Sequence, residues 1–472
     1  MVFTSEEFLL FFLPLLFPIY FAVPARFLQA RNAVLFIFSI VFYAWGGVRY
    51  LVLFAASMAA NYLGGLAVGL FKSKRLKKLS LVLTLAVGLG LLGVFKYAGF
   101  FTGILESAGI TDKVISFALP IGISFYTFQG LSYVIDVYRG DAACQKNPLA
   151  VCLYVALFPQ LVAGPIVRYT DVERELVCRR HSFEGFSDGA VRFMLGFGKK
   201  MLMANPMGEI ADKVFTLSGT SLLTSPAAWV GAVAYAFQIY FDFSAYSDMA
   251  IGIGKMFGFK FNENFNYPYI SASVTEFWRR WHISLSTWFR DYVYIPLGGN
   301  RCSVLRHIFN LSVVWFLTGM WHGASWNFIL WGVYYGVLLI LEKYVFAGVM
   351  KKIPKPVSHV LTMLIVLVGW VFFRADTPAD AAVYLSAMFA GVADFREAEY
   401  LVRQYLPELV LCFIGIFPVK DLCSRFFEKR ADKTGWVVTH EVSVKLFAVA
   451  VFALSYAKLV SGSFNPFIYF RF

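Results

Sequence analysis

Leu51-Val-Leu-Phe-Ala-Ala-Ser-Met-Ala-Ala-Asn-Tyr-Leu-Gly-Gly-Leu-Ala-Val-Gly-Leu-Phe71 carries no charged side chain, and Lys72-Ser-Lys-Arg-Leu-Lys-Lys78 follows it at once. An apolar run of about 20 residues is what a helix needs to cross the hydrocarbon core of a bilayer, where every backbone N–H and C=O must be satisfied within the segment. A basic connector at its end marks the cytoplasmic face. Comparable runs recur from Phe8–Val23 and Val34–Trp45, through Val114–Val137, Leu149–Ile166 and Ala227–Phe241, to Trp326–Leu341, Val360–Phe373 and Val444–Val460. Some fall short of full spanning length, and the sequence predicts about 11 to 13 membrane helices with re-entrant or interfacial segments between them. The expected fold is all-α, a polytopic membrane helical bundle formed as one domain over residues 1–472.

Composition supports the same class. Apolar residues make up 59% of the chain and charged residues 15%, well below the roughly 25% charged that soluble domains carry. The net charge of +13 sits in short connectors such as Lys72–Lys78, Arg179-Arg180 and Lys351-Lys352, where it meets anionic membrane lipids rather than nucleic acid. The segment before the first span holds two acids and no basic side chain, whereas Arg26 and Arg31 follow that span, so the N-terminus is expected outside. No small-x-small cleavage pattern follows the first span, which is expected to be retained. The six cysteines form no C-x-x-C pair, and neither a metal site nor a disulfide framework is indicated.

Asn262–Gly299 breaks the apolar pattern. It is rich in Tyr, Trp and Phe yet contains Glu276, Arg279, Arg280, Arg290 and Asp291, so it lies at the interface, re-enters the membrane or lines a wet cavity. Within it, Trp278, His282 and Ser286 fall four residues apart, on one face if the helix is continuous. Arg279 and Arg280 beside them suit a cationic rim for an anionic donor, or for lipid phosphates.

His322 lies in Leu317-Thr-Gly-Met-Trp-His-Gly-Ala-Ser-Trp-Asn327. At helical spacing Gly319, His322 and Trp326 share a face, Gly319 and Gly323 leave room for a substrate, and Trp321 and Trp326 wall the site. An imidazole, with an unperturbed pKa of about 6.5, suits general base catalysis near neutral pH, and burial favours its neutral, proton-accepting form.

Other spans carry polar stripes. Gln129, Tyr133 and Asp136 form one, and Gln238, Asp242 and Tyr246 another. Ionisable groups in a membrane helix face the protein interior, so these stripes suit a polar tunnel or interhelical hydrogen bonds. In Phe158–Tyr169, Pro159, Gly164 and Pro165 interrupt the helix and free carbonyls that lipid cannot satisfy, so this backbone is expected to be buried or to border the active-site passage.

Phe158–Tyr169, Phe241–Asp248, Phe277–Ser286, Tyr294–Arg301 and Trp321–Asn327 together resemble the membrane-bound O-acyltransferases, most closely the bacterial branch that includes the membrane subunit of alginate O-acetylation. The resemblance runs through nearly the whole chain. It implies a bundle with a thinned centre and a central tunnel, entered by a thioester from the cytoplasm and by an acceptor from outside. It makes His322 the catalytic residue and His282 the second signature polar residue; the polar stripes, flanking tryptophans and helix break described above add Trp321, Trp326, Asn327, Gln129, Asp136, Gln238, Asp242, Gly164 and Pro165 as candidate tunnel lining. Trp278, Arg279, Arg280 and Ser286 are the candidate donor-binding residues. The resemblance implies acetyl-CoA as donor substrate with no bound cofactor, an extracytoplasmic polysaccharide acceptor, an extracytoplasmic esterase-like partner of the SGNH type that is secreted or membrane-anchored, and a bacterial inner-membrane location.

The chain closes on Phe464-Asn-Pro-Phe-Ile-Tyr-Phe-Arg-Phe472. An aromatic end of this kind docks rather than frays. The sequence suggests that Tyr469 either accepts the acyl group transiently inside the tunnel or belongs to a helix end packed at the interface. Two other functions compete with acetyl transfer. D-alanyl transfer from a carrier-protein thioester needs a docking face for the carrier. An ion or solute transporter needs inverted repeats and charged rows through several helices, which the sequence lacks.

Overall fold

The structure, a computed structural model, describes residues 1–115, 117–162, 164–419, 422, 423, 425, 434–462, 464–466 and 468. Every regular element among them is helical. Five helices are long and apolar enough to cross a membrane: Leu28–Trp45, Val48–Leu70, Lys74–Ser107, Lys355–Arg374 and Thr439–Ser461. Phe8–Ala22 and Leu406–Gly415 are shorter apolar helices. Two compact units divide the chain: Met1–Phe193 with Met249–Asn262, and Met194–Asp248 with Glu263–Phe472.

In the first unit the helix Leu51–Leu70 buries Phe54, Ser57, Met58, Asn61, Gly64, Gly65 and Val68, the three-to-four-residue spacing of one helical face. Small residues on that face allow close docking, the usual basis of helix association in membranes. A Cβ on Gly64 would lie 2.1 Å from Thr84 Oγ1, and one on Gly65 would lie 2.3 Å from the Tyr133 ring. Helix Ile123–Arg139, which carries Gln129, Tyr133 and Asp136, is buried on nearly every side.

The run Leu149–Ile166 does not form one span. Helix Pro148–Ala156 stops at Leu157, and a short helix, Phe158–Leu161, follows. Pro159 has no N–H for the carbonyl of Val155, so a continuous helix would leave that group unpaired. Nearby side chains take up the backbone carbonyls of this bend: Gln160 Nε2 donates to Tyr154 O at 2.6 Å, and the Tyr154 hydroxyl lies 2.9 Å from Val167 O. The break is buried in protein, as a bilayer requires. Gly164 closes it, since a Cβ there would lie 2.6 Å from both Gln160 Cα and Pro159 O. Gly164→Leu is therefore expected to destabilise the protein by about 1–3 kcal/mol or more, read as a lower unfolding temperature in detergent. An unchanged melting curve would show that the bend tolerates bulk.

The second unit is built around aromatic rings. Trp278 packs edge-on against Trp315 at 4.8 Å, Trp331 at 5.4 Å and Tyr335 at 4.8 Å, and Trp281 lies 4.8 Å from Trp370. Helices Val304–His322 and Trp326–Tyr344 form a hairpin whose backbones approach closely. A Cβ on Gly332 would lie 2.4 Å from Trp315 O, and one on Gly319 would lie 2.3 Å from Phe328 O. Glu342, near the end of the second of these helices, accepts the N–H groups of Val274 and Thr275 at 2.7 and 3.1 Å. It thereby anchors the start of helix Val274–Arg280, a natural place for a carboxylate.

Candidate active site

His322 is the last residue of helix Val304–His322; Gly323 is extended, and a new helix begins at Trp326. The expected common face of Gly319, His322 and Trp326 is thus cut by the turn, and Trp326 is 53% exposed rather than part of the wall. The glycines leave no substrate space either. Phe328 fills it: a Cβ on Gly323 would lie 2.2 Å from its ring. Trp321, Trp331 and Phe373 wall the imidazole instead, each edge-on with centroids 5.0, 5.1 and 5.2 Å away.

His322 is buried and faces a small cavity that Phe243, Trp281, Trp331, Trp370, Phe373 and Ile468 also line. Among these described lining residues the imidazole is the one ionisable group. An apolar lining of this kind disfavours water and strengthens any proton transfer made against it.

His282 is positioned by a different device. Helix Val274–Arg280 ends before it and helix Ile283–Phe289 begins after it, while His282 itself takes a left-handed backbone, φ 46° and ψ 53°. The face expected to join Trp278, His282 and Ser286 therefore does not exist. Left-handed backbone is costly for a residue with a Cβ and persists only where the surroundings impose it. Here Asn264 does so. Its backbone carbonyl accepts the Ile283 N–H at 2.9 Å, and its Oδ1 accepts the Ser284 N–H at 3.2 Å and the Ser284 hydroxyl at 2.9 Å. Because a backbone N–H can only donate, the atom facing it is oxygen, and His282 Nδ1, 3.1 Å from the same oxygen, must carry the ring hydrogen. Nε2 is then the acceptor of the neutral ring. The His282 ring meets Phe243 at 4.6 Å and Trp321 at 5.8 Å, so the Trp321 indole contacts both histidines.

The expected donor-binding residues separate. Trp278 is core. Arg280 is held by Glu276, 2.9 Å away, and donates to Asn266 O, whereas Arg279 and Ser286 are exposed. Of the expected tunnel residues, Trp321, Asn327, Gln238 and Asp242 are buried in the second unit, and Gln129, Asp136, Gly164 and Pro165 belong to the first. Asn327 hydrogen-bonds Ala375 O, tying its helix to the end of Lys355–Arg374. Tyr469 lies outside the described residues.

Sequence reading missed Lys200, Asn205 and Asn264. Consecutive Lys199 and Lys200 each pair with an aspartate of helix Ser225–Met256: Lys199 with Asp248 at 2.6 Å, and the buried Lys200 with Asp242 at 2.7 Å. Two lysines in the apolar stretch Phe193–Ala204 were a legible sign that acidic partners exist, since an unpaired charge there is costly. The tail meets this pair. Lys200 Nζ also donates to Pro466 O, Asp242 Oδ2 accepts the Ile468 N–H at 3.0 Å, and Asn205 Nδ2 lies 3.3 Å from Phe464 O and 3.2 Å from Asn465 Oδ1.

The sequence profile of the membrane-bound O-acyltransferase family matches residues 145–374. Over the full length of both proteins the chain is 42% identical to the probable alginate O-acetylase AlgI of Azotobacter vinelandii. The chain belongs to the membrane-bound O-acyltransferase family. It is thus an integral membrane O-acyltransferase. It is also 34% identical to the peptidoglycan O-acetyltransferase of Helicobacter pylori, over 82% of this chain and 80% of the relative. The match to the teichoic acid D-alanyltransferase of Streptococcus thermophilus is 31% and covers 49% of this chain and 58% of that protein. His282, His322, Lys200, Asp242 and Asn264 all fall within the family-matched segment.

Asn264→Leu removes the side-chain oxygen that sets the His282 tautomer and holds Ser284, while the backbone carbonyl that accepts the Ile283 N–H remains. Acyl-transfer activity of this acyltransferase is expected to fall by about 10–100-fold, the scale of the roughly 1–3 kcal/mol lost when a buried donor is left without its acceptor. Donor-consumption assays beside a melting curve check this. Full activity in a folded variant would remove His282 orientation from the mechanism.

Proposed function

We propose that this acyltransferase moves an acetyl group from cytosolic acetyl-CoA to an extracytoplasmic polysaccharide, with His322 as general base and an extracytoplasmic esterase-like protein, secreted or membrane-anchored, collecting the acyl group. The observation that carries the reading is a buried histidine and a C-terminal residue, Ile468, on one apolar cavity. A thioester is already activated, so the protein has to align it with a hydroxyl, remove the hydroxyl proton and keep water out. An imidazole nitrogen of His322 takes that proton, the hydroxyl oxygen bonds to the acyl carbon, the C–S bond breaks, and the proton passes to the leaving thiolate as CoA thiol. His282 positions the donor or shuttles the proton. Tyr469, next to Ile468 in sequence, is proposed as the first hydroxyl acylated, from which the partner moves the acetyl group to the polymer.

The names of the relatives that match over most of the chain favour an acetyl donor; the D-alanyl relative matches over about half of it. The N-terminus is proposed to face outside in a bacterial inner membrane, in keeping with the basic Lys72–Lys78 connector. The test is radiolabelled acetyl-CoA supplied to the purified protein in nanodiscs, with label sought on the C-terminal peptide. Label there in the wild type, absent from Tyr469→Phe, is the expected result. Full polymer acylation by Tyr469→Phe in cells would exclude the relay.

A further inference from the structure

We infer that the buried Lys200–Asp242 pair, with Asn205, is a latch that seats the C-terminal tail on the His322 cavity, and that these three are positioning residues for acyl transfer. This deepens the proposed relay and rests on it for its functional meaning, while the seating itself does not. Residues Phe464–Pro466 are irregular backbone. Irregular backbone inside a membrane protein must find partners from side chains, because it makes no helical ladder and lipid offers none. The latch provides them: Asn205 for the carbonyl of Phe464, Lys200 for that of Pro466, and Asp242 for the N–H of Ile468.

The side chains of Lys200 and Asp242 are only 4% and 2% exposed. A buried ion pair adds little stability over an apolar replacement of similar volume, and its best-attested use is to fix one arrangement among several. Here each partner also makes a hydrogen bond to the tail: Lys200 Nζ donates to Pro466 O, and Asp242 Oδ2 accepts from the Ile468 N–H. The Ile468 side chain, held by its own N–H, then lies on the cavity that His322 faces. Space is reserved for the same segment at Gly208, where a Cβ would lie 3.3 Å from the Phe464 ring and 2.7 Å from Gln238 Nε2.

The test uses the full chain in nanodiscs, with two readouts. The first is digestion of the C-terminus by carboxypeptidase, followed by intact mass, which needs no activity. The second is radiolabelled acetyl-CoA, scoring label on the tail against total release of CoA thiol. The double variant Lys200→Met/Asp242→Leu removes the latch without stranding a charge. Its tail is expected to be trimmed about tenfold faster or more than that of the wild type, the scale set by losing charge-assisted hydrogen bonds. Tail label is expected to fall by a similar factor while CoA release through hydrolysis persists, a split that a general loss of structure would not produce. The neighbouring pair variant Lys199→Ala/Asp248→Ala should behave as wild type in both. Should the double variant lack a cooperative melt, Asn205→Ala, which leaves the ion pair intact, is expected to show faster trimming of smaller size. Equal trimming of wild type and all latch variants would overturn the latch. Faster trimming with undiminished tail label would overturn its positioning role. Faster trimming with no tail label even in the wild type would support the latch and sink the relay.

Discussion

His322→Ala is expected to lower acetyl transfer by about 10²–10⁴-fold, the range a positioned general base supplies. The residue sits at a helix end, with three aromatic rings edge-on to it within 5.2 Å, and no other ionisable side chain is among the described residues lining its cavity. None of those described lining residues can take over the proton. Removing the ring also leaves a space bounded by Trp331 and Phe373, which tightly packed indole and phenyl groups fill only in part, so a modest loss of stability accompanies the loss of rate. His322→Gln keeps most of the volume and separates the two effects. Thioester consumption measured in nanodiscs, with a melting curve for each protein, decides the matter. Equal turnover in wild type and both variants would remove His322 from the chemistry and shift attention to His282.

Lys200→Met alone is expected to cost about 3–5 kcal/mol of stability, because it strands the Asp242 carboxylate in the core. The Ile468 N–H remains to Asp242, but one neutral donor does not replace a cation for a carboxylate that is 2% exposed. Adding Asp242→Leu removes the stranded charge, so the double variant should recover most of the unfolding temperature lost by the single one. Thermal unfolding in detergent, measured for both singles and the double, gives the coupling directly. If the double variant loses as much as the two singles combined, the pair contributes through independent packing rather than through charge compensation. Lys199→Ala is the contrast: the Asp248 carboxylate it leaves is 19% exposed against 2% for Asp242, so solvent screens it in part and a smaller loss is expected.

The apolar run Leu51–Phe71, the basic connector after it and the overall composition determined by themselves that this is a helical membrane protein. A bilayer allows few other structures for such a chain, and the rule is local. The helix break at Pro159 was equally legible, because a missing N–H acts within one turn. The family motifs singled out His282 and His322 without any coordinates. Only the tertiary structure decided what surrounds them. Equal helical spacing put Trp326 beside His322 and Trp278 beside His282, but periodicity holds only while the helix continues, and both helices end at or just before the histidine. Gly319 and Gly323 looked like space for a substrate because a sequence does not record which neighbour fills a missing side chain; here it is Phe328. Lys200 meets Asp242 in another helix, and both meet the tail across more than two hundred residues. No local pattern encodes such a contact, since it arises only when folding buries a charge and the nearest opposite charge must compensate it.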